Sequence, residues 1–235
     1  MSKKNPLSEK FKARDHQIIE SDDVLPLGSR IMFFIGSKGS SKTTTILNLL
    51  TLKESPYKKY FKNIVLISPS AHADSKLGKL YEELDRDGKV YDELNDDTIN
   101  SVVEQLEEWN SESKKPIENL VIIDDSSDKL PTGKKPSSIT KLFTNSRHWN
   151  CSVWLVSHKF TSIPPIIRNQ ADCMFLFKTN SKYEIESMKR NLNVDDDVFT
   201  RNLAEATSKP YSFMFLNLIG GRPKYYDRFD LLDDK

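Results

Sequence analysis

Lys42 and Thr43 close a run of small residues, Gly36-Ser37-Lys38-Gly39-Ser40-Ser41, which itself follows the apolar stretch Ile31 to Ile35. An amine and a hydroxyl delivered by a glycine-containing turn after a buried strand suit a polyphosphate. The backbone N–H groups of such a turn curl around phosphate oxygens, and the helix that starts there points its positive dipole end at the anion. In this reading Lys42 reaches the β- and γ-phosphates and the Thr43 hydroxyl ligates Mg2+, while Gly36 to Ser41 and Thr44 complete the nucleotide-binding segment. The general pattern is G-x-x-x-x-G-K-[ST]. Ser41 stands where the second glycine belongs, so a positive φ there is less comfortable than it would be for glycine. Lys38 reads as an exposed residue of the loop.

A second cluster of chemistry lies at Asp124-Asp125, where the apolar run Leu120 to Ile123 ends. A buried strand emerging beside the phosphate loop sets Asp124 to hold Mg2+ through water and Asp125 to act as general base on the attacking water. The double acid is the ending found in ATPases whose sheet carries an additional strand between loop and acid. The chain has no N-K-x-D guanine reader, so ATP is the expected nucleotide. His158 follows the run Val153 to Val156, and ligands bind outside the carboxyl ends of strands in open α/β sheets. It is either a hydrogen-bond donor to the γ-phosphate or a strand-end histidine without a ligand. Arg147 and Arg168 flank the same strand and can each supply positive charge to a phosphoryl transition state or make a structural pair with a carboxylate.

The elements that must position these groups follow from the apolar pattern. Continuous apolar runs recur at Ile31 to Ile35, Ile64 to Ile67, Leu120 to Ile123, Val153 to Val156 and Met174 to Phe177, with a later one at Phe213 to Ile219. Unbroken rather than alternating character predicts an α/β fold in which a parallel sheet is covered on both faces. A helix is expected from Thr43 to about Leu52, buried through Ile46, Leu49 and Leu50. Another is expected from Asp96 or Asp97 as cap, with Val102, Val103, Leu106 and Trp109 turned to the core. Gly220-Gly221 between Ile219 and Lys224-Tyr225-Tyr226 predicts a terminal hairpin. The expected organisation is a basic polar segment over residues 1–24, one domain over 25–220, and a hairpin end with an acidic tail over 221–235.

Composition narrows the partners. The 235 residues carry 35 basic and 34 acidic side chains for a net charge of +1, so any polyanion site is local rather than global. Lys129, Lys134 and Lys135, in a loop after the double acid, form one such cluster, which reads either as a DNA backbone contact or as a solvated loop. The N-terminal run has no apolar core and is read as neither signal peptide nor anchor, and no segment approaches a membrane span. Cys151 and Cys173 lack metal-ligand spacing and are expected as buried thiols in a reducing compartment.

A family resemblance attaches to the second half of the chain. Arg147-His148 before a strand, the strand Val153 to His158, and the P-P-x-x-R-x-x-A-D segment from Pro164 to Asp172 resemble the DNA-packaging ATPases of large eukaryotic DNA viruses of the poxvirus type and their virophage-like relatives. These belong to the FtsK/HerA superfamily of P-loop NTPases, and the likeness runs from about residue 25 to 220. It implies a RecA-like sheet, ATP and Mg2+ as ligands, and hydrolysis coupled to translocation of double-stranded DNA by a homo-oligomeric ring. It further implies a capsid vertex or portal-like partner, and a location in host cytoplasm or at the viral assembly site. Arg147 would lie at a subunit edge and complete a neighbour's site. The family usually has Gln at the end of the fourth strand, where this chain has His158. Two other classes share the loop and the acids: another nucleic-acid ATPase such as a helicase or conjugation-type pump, and a nucleotide-binding interaction protein without turnover.

Overall fold

The computed structural model describes residues 24–73, 78–132, 137–192 and 194–232. Nearly all of the basic N-terminal segment, Lys134, Lys135 and the last three residues of the tail lie outside the described residues. The apolar runs become β1 (Ile31–Ile35), β2 (Asn63–Ile67), β4 (Asn119–Ile123), β5 (Cys151–Ser157), β6 (Cys173–Phe177) and β7 (Phe213–Asn217). Between them, β3 (Val90–Tyr91) is a two-residue edge strand too short to leave a pattern, and β8 (Lys224–Asp227) and β9 (Asp230–Leu231) close the chain. One sheet joins them in the order β3-β2-β4-β5-β1-β6-β7-β8-β9.

β5 lies between the loop strand and the acid strand. Val153 is the register partner of Ile31 on one side and of Val121 on the other. The inserted strand expected from the double acid is therefore present. The sheet is parallel from β3 to β6, whereas β7 runs antiparallel to β6, and β8 to β7. This corrects the reading of Phe213 onward as a further parallel strand. One crossover helix returns the chain for a parallel strand, but two helices separate β6 from β7, so the chain re-enters reversed. Its residues are still buried on both faces, which is why the apolar run looks the same.

Alternate residues of each strand feed two cores, as the period of two requires. On one face Met32, Phe34, Leu120, Ile122, Trp154 and Phe175 meet Ile46, Leu49 and Leu50 of α1 (Lys42–Thr51), with Leu84 of α2 (Gly78–Arg86) in the same cluster. Phe34 stacks on Phe175 at 4.4 Å between ring centroids. On the other face Phe33, Val65, Val121, Val153 and Met174 pack under α3 (Asp96–Glu112), α4 (Ser138–Asn145), the short α5 (Pro165–Arg168), α6 (Lys182–Leu192) and α7 (Asp196–Ala206). With both faces covered, β1, β4, β5, β6 and β7 are buried along their whole length.

Two local expectations change. Asn95, not Asp96 or Asp97, caps α3, accepting the Thr98 N–H at 2.8 Å. Asp96 is instead drawn to the N–H of Ile139 at 3.2 Å, a tertiary contact invisible to local propensity. Trp109 sits at the rim of the core, half-buried, with the Lys89 ammonium 5.3 Å from its ring centroid. The hairpin at Gly220-Gly221 forms as expected, both glycines having positive φ. Among the described residues, no helix is long and apolar enough to cross a membrane.

Candidate nucleotide site

The strands deliver their carboxyl ends to one edge, and there the loop after β1 meets the ends of β2, β4 and β5. A cleft of about 250 Å3 opens at this point, lined by the loop from Lys38 to Thr43 and, facing it, by Asp124, Asp125, His158 and Ser70. The loop is tied to the sheet by its own backbone: Gly36 N–H donates to Ser157 O at 3.1 Å. Ser40 N–H closes a turn on Ser37 O at 3.2 Å.

Gly36 and Gly39 are glycines for different reasons. A Cβ on Gly36 would come within 2.6 Å of Phe177 Cβ and 2.8 Å of Ser40 Oγ, whereas Gly39 has open space around it but φ of +80°. Ser41 carries the φ of +78° that its sequence position made uncomfortable, and its side chain makes no cap hydrogen bond. Its carbonyl begins α1 by accepting the N–H of Thr45 at 2.9 Å. Holding a serine in the left-handed region costs about 1 kcal/mol, offset by the fold around it.

Lys42 is almost fully buried, at 7% exposure. Its ammonium donates to Gly36 O at 2.7 Å and Ser37 O at 3.0 Å, and lies 3.4 Å from His158 Nδ1. The other ring nitrogen of His158 is 2.9 Å from Asp125 Oδ1. A neutral imidazole carrying its proton on Nε2 satisfies both neighbours, accepting from Lys42 and donating to Asp125; this tautomer is assigned from the network. Asp125 has φ of +51°, a conformation aspartate tolerates better than most side chains, and its second oxygen is 3.5 Å from Ser70 Oγ. Asp124 is anchored through its own N–H to Ile67 O at 2.9 Å.

The donor set suits a polyphosphate with a hard cation. Ser40 Oγ is buried and has no hydrogen-bond partner among the described residues. Thr43 offers a hydroxyl and Asp124 a carboxylate in the same cleft, the oxygen ligands that Mg2+ takes. Ser37 is part of the loop but borders a second, neighbouring cleft, and Thr44 and Gly36 do not line the first one. Ser70 went unnoticed in the sequence. Its signal was available: Ser68-Pro69-Ser70 directly follows the apolar end of a strand that neighbours the acid strand.

The two arginines are elsewhere. Arg147 precedes β5 at the amino edge of the sheet, and the seven residues of that strand, at about 3.3 Å each, set it roughly 20 Å from the cleft. Its side chain is 70% exposed, and its guanidinium pairs at 3.2 Å with Asp172, which also accepts the Ile31 N–H at 2.8 Å. Arg168 lies over the Phe160 ring at 4.9 Å and donates to Ile163 O. Burial pulls its pKa down, against Glu184 and Tyr183, which push it up. Both cysteines are buried free thiols, as expected.

Residues 25–208 match the family model described as Poxvirus A32 protein. An uncharacterized protein 015R of Frog virus 3 is 26% identical over 205 residues, covering 86% of this chain and 60% of the relative. The uncharacterized protein 075L of Invertebrate iridescent virus 6 is 27% identical over 165 residues, covering 70% of this chain and 60% of the relative. The chain thus spans about 60% of the length of these curated relatives. Among solved structures, the DNA-packaging ATPase B204 from Sulfolobus turreted icosahedral virus superposes with a TM-score of 0.63 at 18% identity, over 84% of this chain and 96% of that one. The genome packaging NTPase B204 from Sulfolobus turreted icosahedral virus 2, in complex with ATP-gammaS, gives 0.62 at 18% identity, again over 84% and 96%. At such identity the likeness establishes the P-loop NTPase fold.

Proposed function

The chain belongs to the Poxvirus A32 protein family, and from that premise we propose that it is an ATP-hydrolysing motor that drives double-stranded DNA into a viral capsid. The observation that carries the proposal is the convergence of Lys42, Thr43, Asp124, Asp125 and His158 on one cleft at the carboxyl edge of the sheet. They come from three separate strand ends, and Lys42, His158 and Asp125 are joined there by direct polar contacts.

In this reading the loop amides and Lys42 bind the phosphates, Lys42 exchanging its carbonyl partners for phosphate oxygens. Thr43 and Asp124 would hold Mg2+, which neutralises phosphate charge and fixes the orientation of the β- and γ-groups. Asp125 takes a proton from a water aligned with the γ-phosphorus, and His158 orients that carboxylate through Nε2–H. The γ-phosphoryl group passes to the water oxygen, the bond to the bridging oxygen breaks, and ADP leaves with the electron pair.

Arg147 serves a neighbouring subunit in this proposal. Its exposure at the edge opposite its own cleft supports a role in trans, and a head-to-tail ring is the assembly that brings the two edges together. The capsid vertex or a portal-like protein is the proposed docking partner, at a viral assembly site in host cytoplasm.

The test is steady-state ATP turnover with and without duplex DNA. The proposal expects turnover that DNA stimulates and that Lys42→Ala abolishes while the circular dichroism spectrum is unchanged. Nucleotide binding without turnover would instead identify an interaction protein, and turnover indifferent to DNA would remove the translocation reading.

A further inference from the structure

Beside the loop, on the side away from the two aspartates, a second cleft of about 370 Å3 shares Lys38, Gly39 and Ser40 with the first. Its far wall is the turn from Ser208 to Ser212, and its floor is Phe177 with Lys178. The turn is closed by Ser212 N–H on Lys209 O at 3.3 Å, with Pro210 and Tyr211 in its two central positions. Proline followed by a positive φ is the arrangement in which the second central residue is normally glycine. Here it is Tyr211, at φ of +61°. A bulky residue in that conformation is strained, and such strain persists where the surroundings enforce it, often where a ligand is met. The strain is not offset by burial, because Tyr211 is 55% exposed and its ring stacks on no other ring among the described residues.

This inference rests on the nucleotide reading of the first cleft. With the γ-phosphate end set by Asp124 and Asp125, the rest of a nucleoside triphosphate must leave the loop on its other side, into the second cleft. We infer that Tyr211 is the stacking platform for the base, with Lys178 and Lys209 flanking the path of the α-phosphate and ribose. The lining of this cleft holds hydroxyls, lysines and apolar rings but no carboxylate and no carboxamide. Guanine and adenine differ in donor and acceptor pattern on one edge, and discrimination needs groups fixed to match it. A ring stacks on any base, and ammonium groups on flexible stems and rotating hydroxyls are not fixed to one base edge, so the site takes ATP and GTP alike.

The experiment is calorimetric titration of the full chain, with Mg2+, by ATP, GTP and inorganic tripolyphosphate. Stacking on an aromatic ring is worth enough that Tyr211→Ala should weaken ATP and GTP by about five- to 150-fold. Tripolyphosphate affinity should be the same as in the wild type, and Tyr211→Phe should restore nucleotide affinity. The two nucleotides should differ by less than about five-fold in the wild type, because no carboxylate or carboxamide is held there to match one base edge. ATP affinity unchanged in Tyr211→Ala, while Lys42→Ala still loses it, overturns the base platform and leaves the loop reading standing. Equal loss of tripolyphosphate and ATP in Tyr211→Ala also overturns it, since the ring would then support the loop rather than the base. A large preference for ATP over GTP refutes the promiscuity. Failure of the wild type to bind any of the three ligands would instead refute the nucleotide site itself.

Discussion

Replacing Gly36 by alanine tests whether the loop is welded to the sheet by contact rather than by backbone freedom. Gly36 does not need a positive φ, so alanine can adopt its conformation. What it cannot do is fit. The new methyl carbon would stand 2.6 Å from Phe177 Cβ, an atom fixed to the β6 backbone that no rotamer change can withdraw. Phe177 is itself buried and locked against Phe213, with ring centroids 5.5 Å apart. Relief therefore requires β1 and β6 to separate at their carboxyl ends, an overpacking of the kind that costs about 1–3 kcal/mol. For a chain of this size that is a fall in melting temperature of roughly 2–12 °C. The Gly39→Ala variant is the control. It meets no atom within 4 Å but must hold φ of +80°, which costs about 1 kcal/mol. Urea unfolding with an unchanged m-value should therefore rank the wild type above Gly39→Ala and Gly39→Ala above Gly36→Ala. Because the clashing atom is Cβ, Phe177→Ala should fail to rescue Gly36→Ala. A Gly36→Ala midpoint at or above that of Gly39→Ala, or rescue by Phe177→Ala, would refute the contact argument.

The other expectations concern the proposed chemistry and the buried thiols. Asp125→Asn should keep ATP affinity and lose about two to four orders of magnitude in turnover, the usual worth of a general base; near-normal turnover at saturating ATP would remove that role. Mixing Arg147→Ala with Lys42→Ala subunits should regain activity that neither has alone, whereas an arginine that only pairs with Asp172 in its own chain would leave the mixture inactive. Ser41→Gly should raise the unfolding free energy by up to about 1 kcal/mol, because the left-handed strain goes while the unfolded chain gains freedom; a clear loss of stability would show that the serine side chain is needed. Burial pushes the Cys151 and Cys173 thiols up, so the folded chain keeps protons that the unfolded chain releases as pH rises through the ordinary thiol range, about 8.5. Stability should therefore be whole below that range and decline above it, and a thiol reagent at neutral pH should modify neither cysteine until the protein is unfolded. Rapid labelling of the native chain would contradict their burial.

How far the sequence alone reached is best seen at single residues. Ile31 to Ile35 followed by glycine, small residues and Lys42-Thr43 could be read directly, because a phosphate loop is local: strand, turn and helix are adjacent in the chain. The uninterrupted apolar runs told that both faces of the sheet are covered, since burial on two faces removes alternation. The same signal does not tell parallel from antiparallel, and the antiparallel β7, buried on both faces, carries it as fully as the parallel strands do. Asn95, Asp96 and Asp97 can each cap a helix; in the fold Asn95 accepts the Thr98 N–H, and Asp96 is held instead by the distant N–H of Ile139. Ser70, 55 residues from the carboxylate it approaches, and the ring of His158 between Lys42 and Asp125 depend on which strand ends become neighbours. That neighbourhood is set by strand order, which long-range packing chooses and no local window contains. Arg147 shows the limit most plainly: its chemistry was legible, but that it faces away from its own cleft, at the other end of β5, is a fact of the sheet alone.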